Sequence, residues 1–292
     1  DIHTDNLERH YEPRPGARWD SLGAVLAHDA QMAAAGITTV FDSLSLHGHR
    51  NSIDRGAALV PMLSALEAAH GEGILRAEHF LHLRCEVSNA ELMETLELYL
   101  DDPHLRLLSL MDHTPGQRQY RNIDVEEMRR RAVHRAEEGD TVDDMVAGWL
   151  RGETAGHAPA NWAAVARIAR ERGLPLATHD DENAEQIAIA RRDGAVISEF
   201  PVTLEAAAEA RRHGLSVFMG APNLIRGGSH SGNVSAAEVV AAGCLTGFAS
   251  DYIPMSMLRA AFRLAEPPFG LPLAAAIATV TSAPAAATGL SD

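Results

Sequence analysis

A chain of 292 residues, 46% hydrophobic and 22% charged, can bury a large core and is too long for most single sandwiches or helical bundles. A net charge of −15 argues against a nucleic-acid partner, since binding a phosphate backbone needs a basic stripe. No apolar run reaches the roughly 18 residues of a membrane-spanning helix, so no membrane partner is expected, and the chain reads as soluble and cytoplasmic.

Residues 1–6 predict a first strand with nothing before it, so the sequence reads as an excised catalytic domain or as a segment of something longer. A helix follows from Ser21 to Ala35 and stops at Gly36. Strands are expected at 38–43 and 79–87, a helix at 89–100 with Leu92, Leu96 and Leu100 on one face, and a fourth strand at 105–112. The segment 115–158 is too long for a loop and reads as a helical insertion after strand 4, with helices at Val125–Glu138 and Val142–Leu150. It would serve as a lid, as a homodimer contact, or simply as a solvated hairpin.

Beyond it, helices at 160–172, 183–193, 203–213 and 235–242 alternate with strands at 174–180, 195–200, 215–220 and 247–251. Gly173, Gly194, Gly214 and Gly243 sit just past these helices, where a left-handed cap is needed. The stretch 272–288 reads as a last helix and a linker stump. Eight strands alternating with helices give one (β/α)8 TIM-type barrel over residues 1–292, a single catalytic domain.

Barrel catalysis happens at strand exits, and here those exits carry His3 and Asp5, Asp42, Glu86, Asp112 and His113, His179 with Asp180 and Asp181, Glu199, and Asp251. His3 and Asp5 are two apart, so both side chains project to one face and could grip one ion; an ordinary polar strand end is the alternative. Imidazole and carboxylate donors without thiolate suit a divalent metal, one or two ions, Zn first and Mn or Fe next. The two cysteines, Cys85 and Cys244, stand far apart with no CxxC partner and read as buried small hydrophobes. Two ions would need a bridging ligand. All 25 basic residues are arginine, so a carboxylated lysine bridge is excluded and Glu86 takes that place, unless it pairs with Arg84 or another core arginine. The metal set is then His3, Asp5, Glu86, His113, His179 and Asp251. Asp251 would also be the catalytic base, with a helix cap as its duller alternative.

The loop from Gly220 to Asn233 combines glycines with Asn223, Arg226, Ser229, His230 and Asn233, donors suited to phosphoryl oxygens; a Gly-rich surface turn is the alternative. The run Thr114–Arg121 offers a second cradle, with Arg118 at its centre. His28, His70, His134, His157 and His213 read as exposed or capping residues, and Met32, Met62, Met93 and Met145 as core filler.

Taken together, the runs His3-Thr4-Asp5-Asn6, His82-Leu83-Arg84-Cys85-Glu86, Met111 through Gln117, His179-Asp180-Asp181-Glu182, Glu199-Phe200-Pro201, Gly220 through Asn233 and Ser250-Asp251-Tyr252 are found across nearly the whole chain. They resemble the α-D-ribose 1-methylphosphonate 5-triphosphate diphosphatase family of the carbon–phosphorus lyase pathway, in the amidohydrolase superfamily. The resemblance implies hydrolysis of the α–β phosphoanhydride of a triphosphorylated riboside, giving the 5-phosphate and diphosphate in phosphonate catabolism. It also implies a flanking β-sandwich that this sequence lacks. Two departures stand out. The superfamily usually opens with HxH where this chain has Asp5, and its metal histidines commonly lie on strands five and six, against four and five here. An amidohydrolase acting on a C–N bond and a non-catalytic barrel that binds partners are the rival readings.

Overall fold

The computed structural model of the chain describes residues 1–14, 17–46, 55–114, 118, 128–129, 141–150, 156–229 and 232–290. Two helices, α1 (Asn6–Tyr11) and α2 (Ser21–Ala34), precede the first regular strand, β1 (Thr39–Leu46). The cap of α2 is Asp20, whose carboxylate accepts from the Gly23 amide at 2.6 Å. Then come α3 (Arg55–Glu72), β2 (Glu78–Glu86), α4 (Leu92–Glu97), β3 (Leu105–Met111), α5 (Val142–Leu150), α6 (Ala158–Arg172) and β4 (Leu176–His179). The chain continues through α7 (Ala184–Arg192), β5 (Ile197–Glu199), α8 (Leu204–Arg212), β6 (Ser216–Gly220), α9 (Ala221–Arg226), α10 (Ala236–Ala241) and β7 (Gly247–Ala249). It finishes in α11 (Ser256–Ala265), α12 (Leu273–Ala278) and α13 (Ser282–Ala287).

The seven strands form one sheet in sequence order, and every pairing is parallel. Such a sheet needs a crossover after each strand, and the helices supply it, packing on the outer face. The N-terminal segment joins the two edges: Thr4 bridges in parallel to Asp42 in β1 and to Asp251 just beyond β7. The amides of Phe41 and Ser43 donate to Asp1 and Thr4, while the Asp5 amide donates to Asp251.

Packing follows from strand alternation. One inward ring of buried side chains draws a residue from the N-terminal segment and one from each strand: Ile2, Phe41, Phe80, Leu107, Ala177, Ile197, Phe218 and Ala249. Two residues further along the strands, the same face must show Ser43, His82, Ser109, His179, Glu199, Gly220 and Asp251. An apolar floor thus lies beneath a polar layer, and the change from one to the other falls within a single step of the pleat. Two larger apolar clusters pack helices against the outer face of the sheet.

The expected eight segments are all present, the first as a bridged segment rather than a regular strand. The helices expected at 21–35, 160–172, 183–193, 203–213 and 235–242 are found within two residues of those limits, whereas the one expected at 89–100 shortens to α4. Gly173 caps α6 in the left-handed conformation, φ 67°. Four helices were not anticipated: α1, α3, α9 and α11. The stretch 272–288 is two short helices, not one helix and a stump. Of the insertion expected at 115–158, the helix α5 is described, but Val125–Glu138 lies outside the described residues apart from Met128 and Arg129. Among the described residues no helix is long and apolar enough to cross a membrane.

Candidate metal centre and active site

The polar layer is built by strands that end in donors. β4 ends in His179 and β5 in Glu199, neighbours in register, and His3 of the N-terminal segment reaches over them with Nδ1 at 3.4 Å from Glu199 Oε1. The rings of His3 and His179 stand 5.4 Å apart, and Phe200 lies edge-on to both. Donor atoms of His3, His179 and Glu199 all lie within 4.8 Å of one another, and so do those of His113, His179 and Asp180. The two groups meet at His179.

Burial makes this cluster costly as it stands. His3 Nδ1, both ring nitrogens of His179, Asp180 Oδ2 and both carboxylate oxygens of Glu199 are buried with no well-formed hydrogen bond among the described residues, although His179 Nδ1 lies 2.8 Å from Asp180 Oδ2. Unmatched buried polar atoms are rare in folded proteins, and here they converge on one point. A divalent cation satisfies them together, so the donor set fits the metal that the sequence implies.

The electrostatics favour the same state. Burial, followed by the charge of Arg84, holds His3 well below the usual imidazole range, and a neutral ring is the form that ligates metal. Burial also pushes Glu199 up. On Asp180 burial works the other way from His179 and His113, and the two imidazoles win, holding its carboxyl far below the usual range. Asp251 is raised to about 7, by burial first and then by the neighbouring charge of Asp5.

Backbone strain gathers at the same place. Arg118, Asp180, Phe200 and Asp251 adopt positive φ of 51°, 57°, 53° and 56°. Non-glycine residues seldom do so, and a folded chain tolerates it where neighbours over-determine the turn. At Asp251 the fixing contacts are its amide to the His3 carbonyl, 3.0 Å, and its carbonyl taking Thr4 Oγ1 at 2.9 Å.

Of the residues singled out from sequence, His3, Asp5, His113, His179 and Asp251 converge on this centre. Glu86 reaches it differently. Its Oε2 lies 2.9 Å from His113 Nδ1, and its Oε1 takes the His113 amide at 3.0 Å and the Ser88 hydroxyl at 2.6 Å. A carboxylate so turned sets the ring of His113 and leaves Nε2 facing Asp180, 3.7 Å away.

Among the residues expected to hold phosphate, Arg226 is on the rim, its Nη1 3.2 Å from the Tyr252 hydroxyl. Ser229 and Asn233 are half-exposed nearby in sequence, and His230 lies outside the described residues. Two of these residues make contacts within the chain. Asn223 ties its own loop, accepting from the Ala236 amide at 2.9 Å and donating to the Val234 carbonyl at 3.3 Å. Arg118 is buried, and its Nη1 donates to the His179 carbonyl at 2.6 Å and to Asp181 at 2.9 Å, with the guanidinium over Trp162. A guanidinium in that position props the His179–Asp181 corner. The rest of the Thr114–Arg121 cradle, from Pro115 on, lies outside the described residues.

Sequence reasoning noted Glu199 and Asp180 at strand exits without taking them as ligands. The signal was available: Glu199 is two residues beyond Ile197 of the apolar ring, the same offset as His179 from Ala177. The sixth segment of the ring ends in the carboxylate of Glu199. His82 occupies the same layer but is locked as a neutral ring, Nδ1 donating to the Ile2 carbonyl at 3.0 Å and Nε2 accepting from Ser109 at 2.8 Å, and burial lowers its pKa to about 3.

The chain is 41% identical over 295 aligned residues, spanning 100% of this chain and 77% of the other, to the α-D-ribose 1-methylphosphonate 5-triphosphate diphosphatase of Escherichia coli K12. Among solved structures it is similar to a 5-methylcytosine deaminase from Klebsiella pneumoniae, with TM-score 0.56, 15% identity and coverage of 98% of this chain and 67% of that one. An uncharacterised metal-dependent hydrolase from Pyrococcus furiosus gives TM-score 0.55 at 13% identity, over 93% of this chain and 56% of that one. An adenosine deaminase from Xanthomonas campestris with bound Zn gives 0.54 at 14% identity, over 100% and 66%. At such identities the likeness carries the fold alone. No protein-family model matches the chain.

Proposed function

The chain belongs to the α-D-ribose 1-methylphosphonate 5-triphosphate diphosphatase family, and from that premise we propose that it hydrolyses the α–β phosphoanhydride of a 5-triphosphorylated riboside, leaving the 5-phosphate and releasing diphosphate. The observation that carries the chemistry is the convergence of unsatisfied buried donors from His3, His179, Asp180 and Glu199 at one end of the sheet. We take the N-terminal segment as the first strand of a (β/α)8 barrel, and the residues between β3 and α6 as a helical insertion over its catalytic rim.

In this reading His3, His113, His179, Asp180 and Glu199 hold the divalent metal, with Asp5 and Asp251 beside them and Zn as the first choice of ion. Bound there, the cation supplies Lewis-acid activation of water and offsets anionic charge at the phosphoryl group. Glu86 keeps His113 in one orientation, and Arg118 does the same for the backbone of His179. Asp251, poised near 7, accepts the proton of the attacking water. Arg226 on the rim faces the departing phosphates.

Diphosphate release tests this directly. The metal-loaded chain is to be assayed on ribose 1-methylphosphonate 5-triphosphate and, in parallel, on hydantoins and cytosine. Diphosphate from the first with no turnover of the others is expected; hydrolysis of the C–N substrates alone would refute the assignment.

A further inference from the structure

The polar layer contains one buried cation, Arg84, whose charge acts on Glu199 and Asp251 but which no carboxylate among the described residues contacts directly. Along β2 the inward positions are Phe80, His82, Arg84 and Glu86, in ascending order from the apolar ring. Phe80 belongs to the ring, His82 lies 3.7 Å from Glu199, and Glu86 meets His113, so Arg84 enters the space between these levels. It is only 8% exposed. Its Nε reaches Met111 Sδ at 3.2 Å, and the guanidinium has no ion-pair partner among the described residues.

An arginine cannot shed its proton, so burying one unpaired is expensive. Glu199 and Asp251 offset part of its charge from a distance, but no described carboxylate forms a direct ion pair with the guanidinium, whose donors stay open. Once a divalent cation neutralises Glu199 and Asp180, the positive charge of Arg84 is left with still less to offset it. The missing partner is therefore an anion that arrives, and the planar fork of a guanidinium matches two oxygens of a phosphoryl group.

We propose that Arg84 is a catalytic residue that grips the non-bridging oxygens of the α-phosphoryl group while it is attacked. The proposal rests on the diphosphatase reading. In the step it serves, the water oxygen bonds to the α-phosphorus and its proton passes to Asp251. The α–β P–O bond breaks with its electron pair leaving on diphosphate. Charge stays on the equatorial oxygens of the transferring group throughout, which is where a fixed guanidinium lowers the barrier.

The test uses Arg84→Gln and Arg84→Lys in the full chain loaded with metal. Calorimetric titration with inorganic phosphate, metal content and thermal unfolding are measured beside steady-state kinetics. Arg84→Gln is expected to keep its metal and its melting temperature, to bind phosphate at least about tenfold more weakly, and to lose roughly 10²- to 10³-fold in kcat. Arg84→Lys should recover part of both losses. Unchanged phosphate affinity in a metal-replete Arg84→Gln protein overturns the proposal, as does loss of metal and fold that Arg84→Lys fully restores without any change in phosphate binding. If Arg84→Gln does not fold, weakened phosphate binding by a metal-replete Arg84→Lys decides in favour and wild-type affinity decides against. A wild-type chain that releases no diphosphate would sink the diphosphatase reading separately, since the phosphate titration does not depend on the substrate.

Discussion

His79 Nδ1 lies 2.8 Å from Asp42 Oδ2, both side chains sealed on the outer side of the sheet against α2. The other ring nitrogen faces Asp29 Oδ1 at 3.4 Å. Two carboxylates call for two N–H groups, so His79 is an imidazolium. His28 is held differently: Asn6 Nδ2 donates to its Nδ1 at 3.0 Å, and its Nε2–H donates to Asp42 at 2.7 Å. With Arg76 on Asp29 at 2.8 Å, two cations balance two anions, and the network fastens α2 to β1 and β2.

That charge state has a pH signature. Burial opposes the charge on His79, but Asp42 and the hydrogen bonds to Asp42 and Asp29 outweigh it, and the pKa rises above its ordinary value. A raised histidine stabilises fully below its unfolded pKa, and that stability is lost as pH climbs through the folded one. His79→Gln should cost about 3 kcal/mol at pH 6 and progressively less above pH 7, by the scale of breaking a buried ion pair. Denaturant unfolding of the metal-saturated proteins across that range checks it; a cost independent of pH would mean that His79 is neutral.

Gly247 opens β7 beneath the apolar ring. A Cβ there would come within 2.6 Å of both Phe218 Cε1 and the Thr279 carbonyl oxygen. The backbone oxygen cannot rotate away, so Gly247→Ala should destabilise by about 1–3 kcal/mol, as overpacked cores do. Thermal unfolding would show it, and a variant as stable as wild type would mean that Thr279 yields.

Much of this architecture was legible because it rests on local rules. Donors at strand exits, glycine caps and the alternation of apolar and polar steps locate the sheet and the rim without knowledge of contacts. The failures share a cause. The helix α3 contains Pro61 and shows no clear apolar stripe, so its stability comes from what it packs on. His28 looked like a solvated helical residue because its partner Asp42 is supplied by a different element. The pairing of Arg118 with Asp181, 63 residues away, likewise exists only in the folded chain.

Glu199 distinguishes a metal centre from a merely polar core. If its two unsatisfied oxygens await a cation, Glu199→Gln should lower metal retention against a chelator by about 10-fold or more while raising the stability of the metal-free protein, because a buried carboxylate is replaced by a neutral group. Metal analysis after dialysis and unfolding of the apo form are the measurements. Wild-type retention in the variant would remove Glu199 from the ligand set.

Asp251 carries a similar double signature. Its carboxyl is raised to about 7 by burial and by Asp5, so in metal-free protein its protonated form is the stable one, and that stability is lost as pH rises through about 7. Asp251→Asn should match wild type in the apo form below about pH 4, gain on it progressively as pH rises towards 7, and stay more stable at pH 8. The same variant should lose about 10²- to 10⁴-fold in kcat, the usual range for a general base. Full activity in the purified variant would take Asp251 out of the chemistry.

Arg226 separates phosphate recognition from catalysis. It stands on the rim, at 3.2 Å from the Tyr252 hydroxyl, and Tyr252 is held in turn through its carbonyl by Arg9 at 2.7 Å. A charge placed there meets the outer phosphates and not the atom under attack, so Arg226→Ala should raise KM for the triphosphate about 10-fold or more with a smaller change in kcat. A 5-monophosphate ester lacks the phosphates that Arg226 would reach, and on it the variant should match wild type. Equal losses on both substrates would place Arg226 at the reacting phosphorus, or make it a support for Tyr252, and Tyr252→Phe separates these by sparing the triphosphate KM in the first case and raising it in the second.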